Sequence, residues 1–216
     1  MEVVRERSSD LTPGIACIVE GHGDVEAVPI LLRRLAQERQ LYTIKILKPV
    51  RCPRNKFVRG NAIDTQELSR AVQLAGKKLA TYHPVALLLL IDADEACPAL
   101  MGPQLCNAIR EVEPRIPLGV VLAKREFEAW LVASISSIAQ HEGIAPPAHP
   151  PADPETLNDP KGYLGQHIFP DGKYSETVDQ PRFSDVFDMH QAEVCSSFRK
   201  FRREVDRLFG HLVRQA

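Results

Sequence analysis

The chain has 216 residues, 44% of them hydrophobic and 25% charged, with a formal net charge of −1. That is enough for one sizeable core of ordinary globular composition. Near-neutrality excludes a globally basic protein that coats nucleic acid, so a polyanion would have to be held by a local patch or through metal. The longest apolar run, residues 85–91, is too short to cross a bilayer, so no membrane association is expected.

The first ten residues, MEVVRERSSD, lack an apolar stretch, and no signal peptide is expected. Five scattered cysteines without a CxxC pair predict reduced thiols in a cytoplasmic protein, not a zinc site. Residues 15–19 (IACIV) read as a short buried strand. They run into Glu20-Gly21-His22-Gly23-Asp24 and then a helix over 24–38, with Val25, Val28, Leu32 and Leu35 at helical spacing. Strand ends in a parallel sheet are where ligands collect. The two glycines permit a sharp turn and close approach of a ligand. Glu20 and Asp24 there repel each other unless a cation lies between them; otherwise Asp24 merely caps the helix and Glu20 is a solvated loop residue.

Residues 42–47 read as a second strand. Between Glu38 and Asp64 there is no acid, but there are seven bases, Arg39, Lys45, Lys48, Arg51, Arg54, Lys56 and Arg59. The last six form a candidate phosphate-gripping stretch. Gly60-Asn61 marks a turn at its end, from which Asn61 could touch a ligand. A helix is predicted over 65–80, with Leu68, Val72, Ala75 and Leu79 on one face.

Residues 86–91 (ALLLLI) lack polar alternation, as expected for a central strand covered on both faces. They end in Asp92-Ala93-Asp94, two carboxylates placed to share hard cations such as magnesium. A helix over 98–112, a strand over 118–122 and a helix over 126–138 follow, the last with Phe127, Trp130, Leu131 and Ile138 inward. Alternating strands and helices predict an α/β fold with a mostly parallel sheet and helices on both faces. From 144 to 160 prolines predict an extended, surface-hugging connection. The chain then ends in an arginine-rich amphipathic helix lined by Phe198, Phe201, Val205, Leu208 and Leu212. Residues 1–140 therefore read as the α/β core, and 141–216 as an extension packed on it.

IVEGHGDVEAVPILLRRL followed by LLLLIDADE resembles the Toprim fold of topoisomerases, primases and OLD-type nucleases. The chain is also similar to small stand-alone Toprim-like proteins that share an EGxGD turn, a strand ending in DxD and a REFEAWL-like segment, here residues 125–131. The resemblance implies a Toprim-like, Rossmann-like core in which Glu20 matches the glutamate after the first strand, and Asp92 and Asp94 match the DxD. Asp24 matches the aspartate four residues after that glutamate in OLD-type nucleases. Those enzymes add further acids and a late lysine around two metals. Glu126 is the candidate acid, preferred over Glu128 because two residues apart on a helix is about 200°. Lys161 is the candidate lysine.

These resemblances imply a nuclease using Mg²⁺ or Mn²⁺, with Glu20, Asp24, Asp92, Asp94 and Glu126 holding two ions and Glu20, Asp92 and Lys161 serving catalysis. Similar proteins work beside an ATPase and in defence against phage. No GxxxxGK[ST] loop is present, so an ATPase would be a separate chain. Two other readings compete. One is a non-catalytic, nucleic-acid-binding or docking subunit of an ATPase complex. The other is a magnesium phosphatase with Asp92 as nucleophile.

Overall fold

A computed structural model describes residues 12–60, 62–169 and 172–215; the expectations for the first ten residues and for Asn61 fall outside them. The chain enters on β1 (Gly14–Val19) and turns into α1 (His22–Glu38). Two short strands follow, β2 (Lys45–Ile46) and β3 (Val50–Arg51). A single-turn helix α2 (Arg54–Phe57) leads into an antiparallel pair, β4 (Val58–Arg59) and β5 (Ala62–Ile63). Then come α3 (Thr65–Leu79), β6 (Val85–Asp92), α4 (Pro98–Val112) and β7 (Leu118–Ala123). The remaining helices are α5 (Glu128–Ala133), α6 (Ile135–His141), α7 (Pro160–Ile168), α8 (Glu176–Val186) and α9 (Ser196–Gln215).

The main sheet has five strands in the order β2-β1-β6-β7, with β3 also pairing β1, and every pairing is parallel. Alternate residues supply two cores. Ile15, Cys17, Val19, Leu88 and Leu90 join one with α1, α8 and α9. Ala16, Ile18, Leu87, Leu89 and Ile91 join the other with α3 and α4. This double covering is why β6 needs apolar residues at every position. The protein is an α/β fold in a Rossmann-like arrangement, with helices on both faces of the sheet and a helical C-terminal segment. Leu164, Phe183, Phe187, Phe198, Phe201 and Leu208 of that segment share one buried cluster with β1 and α1.

Three elements differ from the sequence reading. The expected strand over 42–47 shrinks to β2, and pairing resumes only at β3. Between them stands Pro49, which has no N–H to give to a ladder. The expected helix over 126–138 is two helices hinged at Ser134, whose Oγ lies 2.7 Å from Ser137 Oγ and accepts the Asp188 N–H at 2.7 Å. α1 begins two residues early, at His22.

Candidate active site

Parallel strands place the C-terminal ends of β1 and β6 side by side, with Val19 opposite Leu90. A cavity of about 480 Å³ opens over these ends, walled also by the start of α1, by Arg51 on β3, and by α5, α7 and α8. Glu20 leaves the end of β1 with its Oε2 buried and without a hydrogen-bond partner. Burial pushes its carboxyl up to about 7, and the Asp94 charge adds to this. The Asp92 backbone amide and Arg54 oppose the rise only in part.

Asp92 is the last residue of β6, and its Oδ1 accepts the Phe127 N–H at 2.8 Å. Burial raises it well above the carboxylate range, and Glu128, Asp24 and Glu20 add to the effect. Asp24 is 8% exposed and engaged on both oxygens. Gly21 N–H donates to Oδ2 at 2.8 Å and Gln180 Nε2 to Oδ1 at 2.6 Å. Burial nevertheless raises Asp24. The helix-cap role weighed for Asp24 is thus present alongside its place in the cavity wall.

Lys161 enters from the first turn of α7, which Asp159 caps by accepting the Gly162 N–H at 2.7 Å. Its Nζ lies 3.3 Å from Glu176, 3.6 Å from Glu126 and 3.9 Å from Glu128. Burial opposes its charge, but Glu128, Glu126 and Glu176 outweigh burial and hold the ammonium protonated beyond its usual range.

The ground for preferring Glu126 to Glu128 does not carry over to the structure. The helix starts at Glu128, so the two residues do not share a helical face and the 200° argument does not apply. Both approach Lys161, but Glu128 lines the cavity and is 1% exposed. Burial pushes Glu128 up to about 8, against the pull of Lys161. Tyr174 donates its phenol proton to Glu128 Oε1 at 3.1 Å.

Asp94 sits apart from the cavity wall. Its backbone adopts φ +49°, and its N–H bonds Arg125 O at 3.0 Å. Arg54 Nη1 binds its half-exposed carboxylate at 2.8 Å. The glycines act differently from expectation too. Gly21 has φ −92°, which any residue adopts. What they admit is α8: a Cβ on Gly23 would meet the Glu176 carbonyl at 2.6 Å, and one on Gly21 would strike the Glu176 carboxylate. α8 thereby brings Glu176 and Gln180 to the site, two residues the sequence reading did not single out.

The basic stretch divides. Arg51 lines the cavity and Arg54 braces Asp94. Lys45 pairs in register with Gly14, at the opposite end of the sheet. Lys48 lies 3.8 Å from Glu26, and Arg59 lies 3.8 Å from Asp64. Lys56 is exposed on α2. The expectation of an unopposed patch fails for Arg54 and Lys48, because acids distant in sequence fold against them.

Among the described residues, no three His, Cys, Asp or Glu side chains are grouped closely enough to hold a metal ion as they stand. The donor set nonetheless suits a hard cation. Glu20 Oε2 and Glu126 Oε2 are buried without partners. Magnesium-type ions need only one or two carboxylates plus water.

Fold and cavity together define an α/β protein with a carboxylate-and-lysine pocket at the carboxyl edge of a parallel sheet. The chain belongs to the family described as a domain of unknown function (DUF4276), which matches residues 19–206. No curated protein and no solved structure matches it. No helix among the described residues is long and apolar enough to cross a membrane.

Proposed function

We propose that this chain is a divalent-metal-dependent nuclease that hydrolyses phosphodiester bonds of DNA or RNA. The observation that carries the reading is the crowding of Glu20, Asp92 and Glu128 around one open cavity, all three pushed up by burial, with Lys161 among them. Such crowding is costly unless a cation or a proton relieves it. The resemblance to OLD-type Toprim nucleases supports the same assignment and adds an ATPase partner to it.

Glu20 and Asp92 would hold Mg²⁺ or Mn²⁺, and Asp94 would join them once Arg54 releases it. When bound, the ion supplies Lewis-acid polarisation of the phosphate and lowers the pKa of water. Lys161 neutralises charge developing on the phosphate. Glu128, with a proton affinity near neutrality, takes or gives a proton at the reacting oxygen. Arg51, on the cavity wall, grips the phosphate backbone.

The test is cleavage of supercoiled and linear DNA and of single-stranded RNA with Mg²⁺, Mn²⁺ or EDTA, beside Glu20→Gln. Metal-dependent cutting that falls about a hundredfold or more in the variant is expected. No cutting, with no heat of Mn²⁺ binding by calorimetry, rejects the reading. A second reading, a nucleic-acid-binding subunit without catalysis, is favoured by the engagement of Asp24 with Gln180 and of Asp94 with Arg54. It predicts DNA binding that EDTA leaves unchanged.

A further inference from the structure

The parallel sheet ends on β7, which pairs with β6 alone. In a parallel ladder the N–H and C=O of one residue point to the same side, and successive residues alternate. The Pro117 and Ala123 carbonyls accept N–H groups from Leu87 and Ala93 at 2.9 and 2.8 Å. Odd-numbered residues of β7 therefore face β6. Leu118, Val120 and Leu122 turn their backbone polar groups away from the sheet.

The same three residues floor a groove of about 750 Å³ between α4 and α9. Arg207 Nη2 reaches in from α9 to the Leu118 carbonyl at 2.5 Å. Among the described residues none hydrogen-bonds the outward backbone of Val120 or Leu122. Backbone groups in a buried strand need partners, and Leu118, Val120 and Leu122 are 7%, 8% and 2% exposed at the bottom of the groove, so a strand that pairs with this edge must part the groove walls. The α4 wall is built from small residues, including Ala99, Gly102 and Cys106, which leaves room for incoming side chains.

The rim selects the occupant. Arg110, Lys200 and Arg207 stand there against Glu204 alone. Lys200 and Arg207 share that one carboxylate, at 3.0 and 2.7 Å. A second copy of β7 would bring the same surplus of cations against them. A nucleic acid would set phosphates over outward carbonyls and an apolar floor. We propose that the β7 edge is a β-augmentation site for an extended segment of a partner protein that alternates apolar and acidic residues. Its backbone completes the ladder at Val120 and Leu122, its apolar side chains enter the groove, and its acids meet the basic rim. This site lies on a different edge from the carboxylate cavity and does not depend on the nuclease reading.

The probe is a labelled peptide of alternating valine and glutamate, titrated into the full chain by fluorescence anisotropy, with amide exchange followed at Val120 and Leu122. Saturable binding is expected, with both amides slowed about tenfold or more. Val120→Pro removes one outward N–H at an edge position where proline is tolerated, and should weaken binding about tenfold or more. Gly102→Glu provides a second variant, since a Cβ there meets only Leu122 Cδ1, at 3.7 Å. It should fold, and its new carboxylate should repel the peptide. Equal binding of a valine–lysine peptide, no saturable binding, displacement by a single-stranded oligonucleotide, or a dimer whose Val120 and Leu122 amides are already protected would each overturn the proposal.

Discussion

Glu20 is opposed in its charged form by burial, by Asp94 and by Asp24. A carboxyl raised from 4.5 to about 7 binds its proton more tightly in the folded than in the unfolded chain. Its contribution to stability is therefore complete below the unfolded value and is lost as pH rises through the folded one. Glu128, pushed to about 8, extends the same loss upward. Metal-free protein should thus lose stability steadily from about pH 5 to about pH 8. Glu20→Gln, which cannot ionise, should be more stable than wild type by about 1–2 kcal/mol at the upper end, after discounting for partial solvent access, and no more stable at about pH 4. Urea unfolding in EDTA measures this, and added Mn²⁺ should erase the difference; a variant less stable at high pH would mean that Glu20 is held by an attractive partner. Gly23→Ala sets two effects against each other. Helix propensity favours alanine by up to about 1 kcal/mol. The Glu176 carbonyl, 2.6 Å from the new Cβ, is backbone and cannot swing aside. A net loss of about 1–3 kcal/mol is expected by denaturant titration.

At the scale of elements, β1, α1, β6, β7 and α9 were legible because their apolar residues follow the period of one or two covered faces. α8 was not. Its buried face carries Asp179, Gln180 and Ser184 beside Phe183, so no hydrophobic period marks it, and Pro181 interrupts the pattern. Its place in the site was hidden for the same reason, and Glu176 and Gln180 with it. Glu20 and Asp92 were legible as acids at strand ends, which is a local signal, whereas Lys161 was reached through the resemblance to OLD-type nucleases. Glu128 was lost to a helix start misplaced by two residues. The proline-rich stretch was also underread. It delivers Glu155, 2% exposed, to the start of α9, where its carboxylate accepts the N–H and hydroxyl groups of both Ser196 and Ser197. Burial alone would raise Glu155, but these donors outweigh it and hold it below its usual range. That stabilisation is present above the unfolded pKa and is lost as pH falls through the folded one. Glu155→Ala strips the N-terminus of α9 of its acceptor and should cost about 2–3 kcal/mol. Fraying of the first turn, read by amide exchange at Ser197 and Phe198, should accompany it. Unchanged exchange there would mean that packing of Phe198 and Phe201, not the cap, seats the helix.

For the whole molecule, a net charge of −1 conceals a sorted field. Carboxylates crowd the cavity, Arg51 stands in its wall and Arg54 braces Asp94, while Lys45 lies at the far end of the sheet. If the chain is the nuclease proposed above, its affinity for nucleic acid should therefore depend on which cations share the cavity's end, not on their number in sequence. Each phosphate neutralised contributes about −0.9 to the slope of log affinity against log salt on duplex DNA, about −0.7 on single strands. Lys45→Ala should leave that slope unchanged. Arg54→Gln should reduce it by about 1. The same substitution acts in the opposite direction on metal. Arg54 binds Asp94 at 2.8 Å and the Ala93 carbonyl at 3.3 Å, and its charge also reaches Glu20. Removing one positive charge beside those carboxylates frees Asp94 and should tighten Mn²⁺ binding by about three- to tenfold, of the order expected for a charge pair near a protein surface. Opposite signs for metal and nucleic acid, measured by calorimetry and by salt-dependent anisotropy on one variant, would establish that phosphate and Asp94 compete for Arg54. Loss of both affinities together would make Arg54 a brace for the strand end, and loss of neither would remove it from the site.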